Sequence, residues 1–253
     1  MNKNIFRSVS LAAALALLAS VPAAAQNQYV ALGDSLTAAV EGACLVERNQ
    51  LASYPAVIAN QLGISAFQQP LVQEIAVTSP LVGTPCLGAV FVPPSTVTVG
   101  AISQMGAPLN LTLPQPYNNL GIAGADAADL ITLTQGNPSG TTAEKNSALV
   151  LRNVPGSPFA GTNAVTQANL LQPDLVTLWI GSNDVLGAAL SGVAIVGVTI
   201  TPLAQFTSDY QADVAAVASG GRELVAANIP AVTSIPFVTT IPPVLVNPAT
   251  RQP

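Results

Sequence analysis

The stretch Gly33-Asp34-Ser35-Leu36 places a serine hydroxyl directly after a short apolar run, Tyr29-Val30-Ala31-Leu32. A serine at a turn from strand to helix exposes its hydroxyl and is a candidate nucleophile. Two more stretches carry candidate polar groups just after predicted strands, Tyr117-Asn118-Asn119-Leu120 and Leu175 to Ile180. Asn119-Leu120-Gly121-Ile122-Ala123-Gly124 brings glycines, where a backbone N–H can approach a substrate oxygen closely, and Gly181-Ser182-Asn183-Asp184 brings a side-chain amide. A hydroxyl with N–H donors around it is the equipment of acyl transfer, in which one group attacks a carbonyl carbon and the others hold the oxyanion that forms. The same residues have commoner work open to them: a serine after a strand caps a helix, and an Asn-Asp pair makes a turn. No Gly-x-Ser-x-Gly elbow is present, so the ordinary α/β-hydrolase signature is absent.

For Ser35, Gly124 and Asn183 to meet, the elements that carry them must run side by side. Tyr29 to Leu32 reads as a buried strand, and Leu175-Val176-Thr177-Leu178-Trp179-Ile180 as another. Ser53-Tyr54-Pro55 opens a helix that Gly63 ends, with serine as cap and proline in the first turn. Further helices are expected from about Asp126 to Thr134 and from about Pro202 to Ala218, the latter stopped by Gly220-Gly221 before a strand over Glu223 to Ala227. Residues 68 to 116, rich in Pro, Val, Thr and Gly, read as an insertion of loops and short β pieces, and residues 136 to 163 as a second polar loop. Strands separated by helices predict an α/β protein, a three-layer α/β/α sandwich on a parallel sheet, with ligands bound beyond the carboxyl ends of the strands. All three candidate residues lie just after predicted strands and would collect at that rim.

Composition narrows the setting. Lys3 and Arg7 precede the apolar run SLAAALALLASV and the small residues Ala23-Ala24-Ala25, a pattern that predicts a signal peptide over residues 1–25 and a mature domain from 26 to 253. A helical anchor is the alternative, although the run falls short of the ~20 apolar residues a spanning helix needs. After cleavage no transmembrane segment is expected, and the mature protein is placed in the periplasm or outside the cell. A formal net charge of −5, with 12 acidic against 7 basic residues, makes nucleic acid an unsuitable partner. In an oxidising compartment Cys44 and Cys86 would pair, which the chain-entropy model credits with about 3 to 4 kcal/mol. Two cysteines and no histidine supply too few ligands for a zinc site, so neither a metal nor any other cofactor is called for.

Gly33-Asp34-Ser35-Leu36, Asn119 to Gly124, and Gly181 to Asp184 resemble blocks I, II and III of the SGNH, or GDSL, hydrolase superfamily, in order and in approximate spacing. The resemblance runs over roughly residues 28 to 240. It implies a flavodoxin-like α/β/α fold and a serine esterase or lipase that cleaves a small-molecule or lipid ester through an acyl-enzyme. By residue, it implies Ser35 as nucleophile, with the backbone N–H groups of Ser35 and Gly124 and the Asn183 amide as oxyanion hole. Gly33, Asp34 and Asp184 are read as supports, the two aspartates fixing loops by hydrogen bonds, because a carboxylate of ordinary pKa is a poor base for a serine hydroxyl. The family's last block, Asp-x-x-His, has no counterpart, since the chain contains no histidine. Losing the base of such a triad costs about four to six decades in kcat. The expectation is therefore a domain truncated at its carboxyl end and close to inactive, with a noncatalytic ester- or glycan-binding protein at the cell surface as the alternative.

Overall fold

The computed structural model describes residues 28–41, 44–73, 104–105, 107–137 and 140–234. The expected signal peptide over residues 1–25 and Cys86 of the expected disulfide lie outside the described residues, as does most of the insertion's centre. The elements are, in order, β1 (Tyr29–Gly33), α1 (Ser35–Ala38), β2 (Cys44–Leu45), α2 (Glu47–Leu51) and α3 (Tyr54–Gln61). Next come β3 (Gln104–Met105), β4 (Asn119–Gly121), α4 (Asp129–Thr132), α5 (Thr142–Val150) and α6 (Ala164–Leu170). The series closes with β5 (Leu175–Trp179), α7 (Asn183–Ser191), α8 (Leu203–Ala218), β6 (Glu223–Ala226) and a 3-10 turn, Val232–Ser234.

Four strands form one parallel sheet in the order β4-β1-β5-β6. Tyr29, Val30, Ala31 and Leu32 have no exposed surface, which explains why β1 reads as an unbroken apolar run: a central parallel strand is covered on both faces. Its side chains alternate between two cores. Val30 and Leu32 join Leu120, Val176 and Leu178 beneath Leu130, Ala143, Val150, Ala168 and Val217, which come from α4, α5, α6 and α8. Tyr29 and Ala31 face the other way, onto Ala59 and Ile58 of α3. Helices therefore cover both faces of a parallel sheet, the three-layer α/β architecture expected.

Local chemistry sets the helix boundaries. The Ser53 hydroxyl accepts from the Ala56 N–H at the start of α3, which ends before Gly63 at φ +72°. The loop expected over residues 136 to 163 instead contains α5. Thr141 and Glu144 form a reciprocal capping box, in which the Thr141 hydroxyl accepts from Glu144 N–H and the Glu144 carboxylate from Thr141 N–H. Leu149, Val150 and Leu151 then bury the helix end. The helix expected from Asp126 to Thr134 shortens to the single turn of α4. Asp126 and Asp129 satisfy each other's backbone N–H groups ahead of it, at 3.1 Å in both directions. Within the described part of the insertion, Gln104–Met105 pairs in parallel with Cys44–Leu45, and Val72 bridges Pro108.

Candidate active site

Register decides what meets at the carboxyl edge of the sheet. Gly33 pairs with Gly121 on one side and with Trp179 on the other. Ser35 lies two residues beyond that level, Gly124 three and Asn183 four. With neighbouring strands about 4.8 Å apart, the three loops emerge together where the chain leaves β1 for opposite sides of the sheet.

Two glycines seat the helix that carries Ser35. A Cβ on Gly33 would strike the Thr37 hydroxyl and the Trp179 carbonyl oxygen, and a Cβ on Gly121 would strike the backbone of Thr37 and Ala38. Because neither has a side chain, α1 lies directly on the ends of β1 and β4. Its cap is Asp34, whose Oδ1 accepts from Leu36 N–H at 2.9 Å. With that task taken by its neighbour, the partly exposed Ser35 forms no side-chain hydrogen bond among the described residues. Asp34 is fully buried, and burial pushes its carboxyl up to about 6.

The second loop turns through Gly124 at φ +87°, a conformation that favours glycine. A Cβ there would also come within 2.9 Å of the Thr142 side chain at the start of α5. Gly121 N–H donates to the Asn119 side chain at 3.0 Å, whereas Gly124 N–H has no partner among the described residues.

Asn183 opens α7, and one N–H of its amide donates to the Ala125 carbonyl at 2.7 Å. Asp184, the next residue, accepts from Ala127 N–H through Oδ2 at 3.0 Å. The start of α7 therefore grips the loop after Gly124 at two points, leaving the second Asn183 N–H uncommitted beside the Gly124 turn. A cavity of about 250 Å³ opens here, lined by Asn183, Asp126, Asp184 and residues 197–202.

Asp129 of α4 and Asp209 and Asp213 of α8 lie near Asp126 and Asp184, a clustering that sequence reasoning missed because these elements are far apart in the chain. Burial, reinforced by Asp126, pushes Asp129 up to about 7, and burial next to Asp209, Asp184 and Asp126 pushes Asp213 up to about 8. Burial also raises Asp126 and Asp184. Among the described residues no group of three or more His, Cys, Asp or Glu is placed to hold a metal ion. A larger cavity, about 690 Å³, lies at the opposite edge of the sheet beside Gln28, Asp174 and Arg222, remote from these loops. No described helix is long and apolar enough to cross a membrane.

Comparison with known proteins identifies the family of nearly the whole chain. The family model described as GDSL-like Lipase/Acylhydrolase matches residues 29–252. No curated protein and no solved structure matches the chain. The family match begins at β1 and takes in all three loops of the carboxyl edge, so the chain belongs to the GDSL-like lipase/acylhydrolase family, hydrolases of the esterase and lipase type.

Proposed function

We propose that the protein is an exported serine acylhydrolase acting on carboxyl esters. Ser35 Oγ attacks the ester carbonyl while its proton passes to water, which returns one to the departing alcohol, and the oxyanion is received by the N–H groups of Ser35 and Gly124 and by the free N–H of Asn183. Collapse of the tetrahedral adduct expels the alcohol and leaves an acyl-Ser35 ester, which water then cleaves. The observation that carries the reading is that these groups gather at one edge with their hydrogen-bonding capacity unspent: Asp34 caps α1 in place of Ser35, and Ala125 engages a single N–H of Asn183. Each oxyanion donor supplies about 3 to 4 kcal/mol to the transition state.

The 253 residues contain no imidazole to take the Ser35 proton, so turnover by this chain is slow, resting on the oxyanion hole and binding. The test is hydrolysis of p-nitrophenyl butyrate together with mass-spectrometric detection of acylated Ser35. Ser35→Ala is expected to abolish both signals, and unchanged hydrolysis in that variant would sink the assignment. The lack of histidine also favours a second reading, a noncatalytic ester-binding protein at the cell surface. Saturable ester binding with neither turnover nor acyl-Ser35 would establish that reading in place of the first. Export rests on residues 1–25, and recovery of the protein from the periplasm or medium with its new amino terminus near Gln26 tests it.

A further inference from the structure

A second cavity, about 220 Å³, adjoins the one at Asn183 and shares Asp184, Ile200 and Thr201 with it. Its character is different. Val185, Val196, Leu203, Phe206 and Ile229 complete its walls. It also rests against the loop that carries Asn183: a Cβ on Gly181 would fall 2.8 Å from Ile229 Cδ1 and 2.9 Å from Phe206 Cε2. The roof is anchored as well. Thr201 N–H donates to the Asp184 carbonyl at 2.8 Å, and the Thr199 carbonyl lies 3.0 Å from where a Cβ of Gly187 would stand, so residues 199–201 lie tight against α7.

We propose that this apolar cavity takes the acyl chain of an uncharged ester, a reading that rests on the acylhydrolase function above. Asp184, the neighbour of Asn183, lines both cavities, so an acyl chain whose carbonyl oxygen sits at Asn183 would reach the apolar one along the first turn of α7. The alcohol must leave to water after the first step, whereas the acyl group stays through both, which suits an apolar recess. Among the described residues no Lys or Arg lines the cavity, while Asp184 does and Asp126 and Asp213 lie near it, so a free carboxylate tail is disfavoured. An apolar cavity of about 150 Å³ holds benzene, so this one accommodates a straight chain of roughly six to eight carbons.

The test uses the full chain carrying Ser35→Ala, which cannot turn over, titrated calorimetrically with ethyl esters of C2 to C10 acids and with acetates of C2 to C10 alcohols. Affinity is expected to rise about fourfold per acyl methylene and to level off near C6 to C8, while the acetate series stays nearly flat. Val185→Phe, which fills the cavity, moves the plateau to shorter acids, and Phe206→Ala, which enlarges it, moves the plateau to longer ones. The second variant keeps the test open if the first does not fold. An affinity independent of acyl length, a dependence on the alcohol chain instead, or a plateau that neither variant moves would each overturn the proposal. Its failure is separable from that of the acylhydrolase reading. Ser35-dependent hydrolysis with a flat acyl profile removes the cavity alone, while a plateau that follows the variants, alongside hydrolysis indifferent to Ser35, removes the nucleophile alone.

Discussion

Asp34 and Ser35 divide between them two tasks that a lone serine after a strand would have to combine. The carboxylate holds the Leu36 N–H, so the hydroxyl one residue later stays out of the helix end. Asn183 divides its own amide in a similar way, one N–H on Ala125 and one without a partner among the described residues. Replacing Asn183 with Ala removes both the donor and the grip on the loop. On the proposed function, kcat falls by about 10² to 10³, with a smaller change in KM. Gly124→Ala works through the backbone. It places a side chain at φ +87° and against Thr142, and is expected to lower stability by about 1 to 3 kcal/mol and ester hydrolysis with it. Thermal melts and steady-state kinetics on both variants test these outcomes, and an Asn183→Ala enzyme of full activity would remove the side chain from the oxyanion hole.

The elements matter here through how closely they approach one another. At Gly121 the backbone of α1 occupies the space a side chain would need, so Gly121→Ala must push α1 off the sheet. A loss of roughly 2 kcal/mol or more is expected, with Ser35 displaced, measured as a fall in melting temperature. Arg152 acts on the opposite flank. Its guanidinium is stacked over Tyr117 at 4.1 Å and Phe159 at 4.5 Å and donates to the carbonyls of Leu111, Leu113 and Gln115. Lysine cannot reproduce that planar fork, so Arg152→Lys is expected to cost about 2 to 3 kcal/mol and to speed amide exchange through residues 111–115. Native-like exchange there would show that the loop holds without the arginine.

How much of this was legible follows from where the physical signal lay. β1 and β5 stood out because a central parallel strand carries apolar residues toward both layers. The three polar loops were legible because each ends a strand. α5 was hidden by the glycine and prolines around it, although Thr141-x-x-Glu144 announced its start. The pairing of β2 with β3 joins residues some sixty apart through two residues a side and leaves no periodic trace. The packing role of Gly121 was hidden because only the third dimension brings Thr37 and Ala38 onto it. The cavity behind Gly181 was invisible for the same reason, its walls coming from α7, α8, the segment between them and Ile229.

At the scale of the whole molecule, the buried carboxyl groups set a pH dependence of unusual direction. Asp34, Asp129 and Asp213 hold their protons up to about 6, 7 and 8 when folded, while an unfolded aspartate releases its proton near pH 3.9. The folded state therefore binds more protons across that interval. The stability these groups provide is complete below about pH 4 and is lost as pH rises through their folded values. The melting temperature is expected to be highest in mild acid and to decline toward pH 8.5. Asp213 has no exposed surface, and neither carboxylate oxygen has a partner among the described residues. Asp213→Asn should accordingly raise the midpoint at pH 8 by several degrees, on the order of 2 kcal/mol, and leave it nearly unchanged at pH 4. A midpoint that stays level from pH 4 to 8 would refute the raised values.

The two bonds between the Gly124 loop and the start of α7 also bear on how such a domain can be rebuilt. Asn183 holds Ala125 and Asp184 holds Ala127, so residues 122–128 and 181–184 behave as one cassette, although more than fifty positions separate them in the chain. Grafted singly into a related scaffold, either segment would arrive with half a latch and an unmet amide or carboxylate. The Ser35 turn latches onto itself through Asp34 and asks of its new host little more than two glycines at the ends of adjacent strands. Recombination among such hydrolases should therefore move the serine freely and the other two loops only as a pair.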